Sequence, residues 1–478
     1  DGCFRFTIGL AKKALLADSR ERIEKKIAVL GGSTTNDVCD MLELFLLAEG
    51  IRPVFYQSEY AKYWEDAMFG NPTLEAFAPD VVYVHTTFRN LAPYLPHPDD
   101  SAEAVEGRLA DAERHFSEMW ERLSTAFACP IVQNNFEYPF FRLYGNRDAT
   151  DIHGQTNFVN RLNARFQLAA AQKPHLFIHD LSYTAACYGL DRWADQSVWY
   201  MYKYAMALEA IPSLAHSVAS IIKSIFGRNK KVLALDMDNT LWGGVVGDDG
   251  PEGLELGEET PNGQAFLEFQ RYVKRQKDIG VLLTVCSKND PENALAGPHP
   301  DSALSPDDFQ VIRANWEPKD RNIAETARLL NLMTDSVVFA DDNPAERHIV
   351  AASLPSTAVP AMEGVENYIR ILDRNAYFEV TSLSADDLRR NVSHRAIIFP
   401  TGFELQQGLI EDTNSPYLKS LLEQEGYKVT VGEIMADDLA DIVDKLEDAL
   451  NRGFGLIITT GGVGAEDKDH SVEGICAI

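Results

Sequence analysis

Cysteine is scarce: six residues in 478, at positions 3, 39, 129, 187, 286 and 476, with no Cys-x-x-Cys step and no zinc-ligand spacing. That argues against a disulfide-stapled scaffold or a zinc ribbon and suits a reducing cytoplasm. Long apolar runs and a signal-peptide pattern are absent too, so no membrane partner is expected. Positive charge is in short supply. With 44 Lys and Arg against 72 Asp and Glu, the formal net charge is −28. A nucleic-acid surface would need basic patches, so no nucleic-acid partner is expected. Phosphate substrates remain compatible, provided that a cation and local lysines reverse the field at one site. The chain also lacks an initial Met and stops soon after a glycine-rich turn, so a fragment at both ends is expected.

What is present is α/β patterning throughout. A length of 478 residues suggests about three domains, and a hydrophobic content of 45% suffices for packed cores. The most informative stretch is Lys231 to Thr240, an apolar run that ends abruptly in Asp236 and Asp238. A short apolar run bounded by turn signals reads as a buried parallel strand. In open α/β sheets the reactive groups sit at the carboxyl ends of such strands. Two acids at a buried tip are costly unless something pairs with them, and a metal would do so. An N-cap role would account for one Asp but not for both.

Partner segments follow in order. Val281 to Asp290 is a second apolar strand, ending in Ser287, a small hydroxyl suited to hold a phosphoryl oxygen. Asn315 to Lys319 opens a helical pattern, and Lys319 can neutralise nucleophile and phosphate charge. Ser336 to Glu346 is a third strand ending in Asp341 and Asp342. Such an oxygen-rich site suits Mg²⁺.

These segments resemble the haloacid dehalogenase-like (HAD) phosphotransferases, whose nucleophile loop is Asp-x-Asp-x-Thr. The resemblance implies Asp236 as nucleophile, Asp238 as general acid and base, and Ser287 and Lys319 as phosphoryl holders. It implies Mg²⁺ held by Asp236, the main-chain carbonyl of Asp238 and Asp341, with Asp342 ligating directly or through water. Between Asp238 and Ser287 there is room for a flap at Trp242 to Gly250 and one helix, Gly263 to Lys277. Neither that gap nor the next holds a cap domain, since folded domains usually need about fifty residues. A capless site is open, and needs another domain or a macromolecule to exclude water.

Ahead of this segment, Lys25 to Ser33 reads as a strand entering a Gly-Gly-Ser turn, with further strands at 53–56, 81–85, 130–133 and 175–179. Gly31-Gly32-Ser33 is similar to the nucleophile block of SGNH hydrolases, with Asn134 or Asn135 as candidate oxyanion donors. The expected Asp-x-x-His is broken, because Asp191-Arg192-Trp193-Ala194 has Ala in place of the base. A serine without a base is a weak nucleophile, so this domain is expected to bind or scaffold rather than hydrolyse.

The combination closely resembles the FkbH-like proteins (HAD subclass IIIC). Members take a glyceryl group from 1,3-bisphosphoglycerate, remove phosphate and load an acyl carrier protein. The resemblance therefore implies a small phosphorylated metabolite and an acyl carrier protein as partners, with Cys286 a candidate acyl carrier. Its strand position equally suits burial in the core. After a linker-like 376–395, residues 396–478 resemble the molybdopterin-binding fold of CinA-like proteins. That implies Gly461, Gly462, Asp437 and Asp469 as binding residues in an incomplete domain, with a natural fusion and an artefactual join both open. The expected architecture is three α/β units: an SGNH-like flavodoxin-type sheet over 1–215, a capless Rossmannoid HAD domain over 216–375, and a partial molybdopterin-binding fold. A binding or scaffold protein with vestigial HAD chemistry, or a molybdopterin-binding protein acting through the C-terminal domain, is the competing reading.

Overall fold

In the computed structural model, residues 2–17, 22–292, 299–382, 395–401, 405, 407, 412–424, 427–435, 438–451, 454 and 456–460 are described. They form an α/β structure with three parallel sheets. Contacts divide the chain into two compact units: Asp1–Arg228 with Glu379–Thr381, and Asn229–Phe378 with Ser382–Ile478.

The first unit holds strands β1 (Ile23–Gly31), β2 (Ile51–Gln57), β3 (Val81–His85), β4 (Ile131–Asn134) and β5 (Leu176–His179). Their order, β2-β1-β3-β4-β5, is that of a flavodoxin-type sheet. Side chains alternate across β1: Ile27 and Val29 enter one core, while Ala28 and Leu30 enter the other. Burial on both faces explains why the strand reads as a continuous apolar run.

One boundary differs from the sequence expectation. The helix Ile211–Ile225, which the expected boundary at residue 215 divides, packs Leu214, Val218 and Ile222 into one core with Val38, Leu42 and Leu46. The division consequently falls after Arg228, not after residue 215. An amphipathic helix follows the apolar face that covers it, and sequence order does not say which sheet supplies that face.

In the second unit, β6 (Val232–Leu235), β7 (Leu282–Ser287), β8 (Val311–Ala314) and β9 (Val337–Ala340) form a parallel sheet ordered β8-β7-β6-β9. The chain steps outward from β6 to β8 and then returns to the other side of β6. Loops leaving β6 and β9 therefore diverge, and open a crevice at the carboxyl end. Between β6 and β7 lie a flap tied by the Gly243–Glu255 bridge and the helix Pro261–Asp278. No cap domain stands there among the described residues. A separate sheet, β11-β10-β12, comprises β10 (Arg395–Phe399), β11 (Lys428–Val431) and β12 (Leu456–Thr459). Among the described residues, no helix is long and apolar enough to cross a membrane.

Candidate metal and phosphoryl-transfer site

Register places the acids before any side chain is considered. Leu235 on β6 pairs with Ala340 on β9, so the next residues, Asp236 and Asp341, leave the sheet side by side. Carboxylate oxygens of Asp236, Asp341 and Asp342 lie within 4.8 Å of one another. Lys319, the first residue of the helix Lys319–Leu329, sends Nζ to within 2.9 Å of Asp236 Oδ2 and 2.6 Å of Asp341 Oδ2. Burial works against the lysine's charge, but the two carboxylates overcome it and hold its pKa above the ordinary value. Burial pushes the Asp341 carboxyl up, and the neighbouring Asp236 charge adds to the rise. Asp342 is raised by the same two causes in the same order.

One ammonium for three clustered carboxylates leaves a deficit of positive charge. Asp236 Oδ1 is buried and has no hydrogen-bond partner. A buried acceptor left open in this way needs a partner, and a hard divalent cation fits an all-oxygen donor set. Asp236, Asp341 and Asp342 would hold it.

Asp238 is turned away from that cluster. Its Oδ1 accepts from Trp242 Nε1 at 3.1 Å and from the Val246 N–H at 3.0 Å, and its Oδ2 accepts from Asn289 Nδ2 at 3.0 Å. Burial raises its pKa, which favours a held proton. Ser287 is buried at the end of β7, beside the Asp236–Asp238 loop, and its carbonyl accepts from the Asn315 N–H. Thr240 closes the loop by hydrogen-bonding Asp342 through both its N–H and its carboxylate, at 3.2 and 3.4 Å.

Three residues of this site escaped the sequence reading. Trp242 and Asn289 orient Asp238, and Arg347 donates to the carbonyls of Asp341, Asp342 and Met362. Trp242 and Arg347 stand four to six residues from the acids they support, whereas Asn289 meets Asp238 from 51 residues away. Cys286 points to the opposite face of β7 from Ser287. It lies in the core with Ile323 and Phe339, and burial pushes its thiol up to about 12. A thiol so placed is inert, which removes it as an acyl carrier. Gly461, Gly462, Asp437 and Asp469 lie outside the described residues.

In the first unit Ser33 is buried, and its Oγ has no hydrogen-bond partner. No histidine reaches it among the described residues. Asn134 is occupied by His179, at 2.8 Å, and by the Thr86 carbonyl, while Asn135 is occupied by Asp180 and the Ser182 N–H.

Residues 26–223 match the family model described as "FkbH, N-terminal domain". Over that stretch the chain is similar to the FkbH-like proteins. The N-terminal part of a Bacteroides fragilis protein, described as containing a phosphatase domain complexed with Mg, is 29% identical to it. That alignment covers 78% of this chain and 99% of the other, with a TM-score of 0.71. Residues 397–478 match the model "Probable molybdopterin binding domain". Over 81 residues the chain is 40% identical to a CinA-like protein of Thermosipho melanesiensis, covering 17% of this chain and 20% of that one. A CinA-like protein of Mycobacterium leprae is 39% identical over 82 residues, covering 17% and 19%. The chain thus spans about a fifth of the length of these curated relatives.

Proposed function

We propose that this FkbH-like protein is a Mg²⁺-dependent phosphatase or phosphotransferase of the HAD type. The observation that carries the reading is the open, buried Asp236 Oδ1 among three carboxylates, with Lys319 across two of them. The phosphatase-domain likeness of the Bacteroides fragilis protein supports it. Mg²⁺, when bound, would neutralise the carboxylates and polarise the transferring phosphoryl group. Asp236 attacks phosphorus, a P–O bond forms, and the bond to the leaving oxygen breaks. Asp238 delivers its proton to that oxygen. Asp238, now a carboxylate, then takes a proton from water, which displaces Asp236 and releases inorganic phosphate. Lys319 holds Asp236 in line and Ser287 binds a phosphoryl oxygen.

The resemblance to FkbH-like proteins extends this reading to a small phosphorylated acyl donor such as 1,3-bisphosphoglycerate, with an acyl carrier protein as acceptor. Buried Cys286 takes no part in that transfer. The match at residues 397–478 supports a separate ligand-binding role there, through Gly461, Gly462, Asp437 and Asp469. The decisive measurement is hydrolysis of an aryl phosphate by wild type and Asp236→Asn, each with Mg²⁺ or excess chelator. We expect a loss of about 10⁴-fold in the variant, roughly 5 kcal/mol of barrier. Equal rates in every arm overturn the assignment.

A further inference from the structure

The helix Pro344–Ser353 starts directly after the acids of β9, capped by Asn343, whose side chain accepts from the Ala345 N–H at 2.9 Å. Side chains on a helix lean toward its N-terminus. Arg347, the fourth residue of this helix, therefore reaches back over the loop that precedes it. Its Nη1 donates to the carbonyls of Asp341 at 2.9 Å, Asp342 at 2.6 Å and Met362 at 3.0 Å. The residue is only 9% exposed. Nη1 carries two hydrogens, so three carbonyls share them.

The two cations of this region act differently. Lys319 touches the carboxylates and supplies charge. Arg347 touches the main chain of the same residues and no carboxylate of the cluster. Strand β9 ends at Ala340, so the carbonyls of Asp341 and Asp342 have left the ladder and need donors while buried. Holding both carbonyls fixes two successive peptide planes, and with them the directions in which both acid side chains leave the backbone. The third contact, to Met362, anchors that loop to a segment outside the site. Asn343 N–H on Asp341 Oδ1, at 2.8 Å, completes the restraint.

We propose that Arg347 is a positioning residue for the cation site, setting its Mg²⁺ affinity by presetting Asp341 and Asp342. This rests on reading the carboxylate cluster as a divalent-cation site. Partners of this kind around metal ligands typically change metal affinity about 10- to 100-fold when removed.

The test is calorimetric titration of Mg²⁺ into the full chain without substrate, for wild type, Arg347→Lys, Arg347→Met and Arg347→Ala. Arg347→Met should bind about 10- to 100-fold more weakly. Arg347→Lys should fall between, because an ammonium lacks the planar fork. Added guanidinium ion should restore affinity to Arg347→Ala, which a general loss of folding would not allow. Hydrolysis of an aryl phosphate should show a raised Mg²⁺ requirement, with KM for the phosphate unchanged. Should Arg347→Met fail to fold, Arg347→Lys and the guanidinium rescue decide the matter. Unaltered Mg²⁺ affinity in the folded variants overturns the proposal, as does a loss that neither lysine nor guanidinium relieves. Such a result leaves the phosphatase reading standing, since that depends on Asp236→Asn. Wild-type hydrolysis by Asp236→Asn, with Mg²⁺ binding still dependent on Arg347, overturns the phosphatase reading alone.

Discussion

Glu137 is buried without a neutralising partner in contact. It accepts from the Phe88 N–H at 3.1 Å, yet burial still pushes its pKa up from 4.5 to about 7, against the pull of that bond and of Arg89. The folded state therefore holds this proton more tightly than the unfolded chain does. Its contribution to stability is complete below about pH 4.5 and is lost as pH rises through about 7, about 3 kcal/mol in all. Glu137→Gln keeps an acceptor for the Phe88 N–H and has no proton to lose. Relative to wild type, the variant should gain about 3 kcal/mol between pH 4.5 and pH 7, read by urea unfolding across that range. A flat difference would remove burial as the cause. Acids at strand ends were legible in sequence because a buried tip has little other use for them. Glu137 was not, because its environment is assembled from separate segments.

Strand β7 shows what period-two alternation decides. Leu283 and Val285 face one core and Cys286 the other, so Ser287 returns to the first side at the crevice. Two adjacent residues with reactive side chains thus have opposite fates. Cys286 Sγ rests 3.6 Å from the Lys319 carbonyl, inside the packed layer. Exposed Cys187 should react with iodoacetamide in the folded protein well before Cys286 does. Peptide mass analysis of a timed reaction will show the order. Cys286→Ser should retain phosphatase activity, since a hydroxyl keeps a donor for the Lys319 carbonyl and the side chain lies on the face away from Ser287. Equal labelling of the two cysteines would mean that the strand is not seated as described. The strands themselves were readable as short apolar runs, and β3 falls on the expected residues. The expected boundary at residue 215 falls inside the helix Ile211–Ile225, because an apolar helical face does not name the sheet it will cover.

The two compact units predict how the molecule unfolds. Each has its own apolar cores, so calorimetry should resolve two transitions. The carboxylates proposed to hold Mg²⁺ all lie in the second unit, so Mg²⁺ should raise that transition alone. At a concentration about a hundred times the dissociation constant, the gain is about 2.7 kcal/mol. Chelator should reverse it without moving the first transition. A single transition, or one in which both units respond to Mg²⁺, would contradict the division.

The sequence by itself determined the parallel α/β character and marked Asp236, Asp238, Ser287, Lys319, Asp341 and Asp342 as candidates at or after strand ends. Those are local properties: apolar runs set strands, and acids or hydroxyls at their ends stand out against the cost of burial. Tertiary structure decided which acids meet. The register of β6 against β9 brings Asp236 to Asp341 across about a hundred residues, while Asp238, two residues from Asp236, is turned to Trp242 and Asn289. It also decided the supporting contacts. Arg347 acts on main-chain carbonyls, which every residue type carries, so nothing in the side-chain pattern could mark its targets in advance.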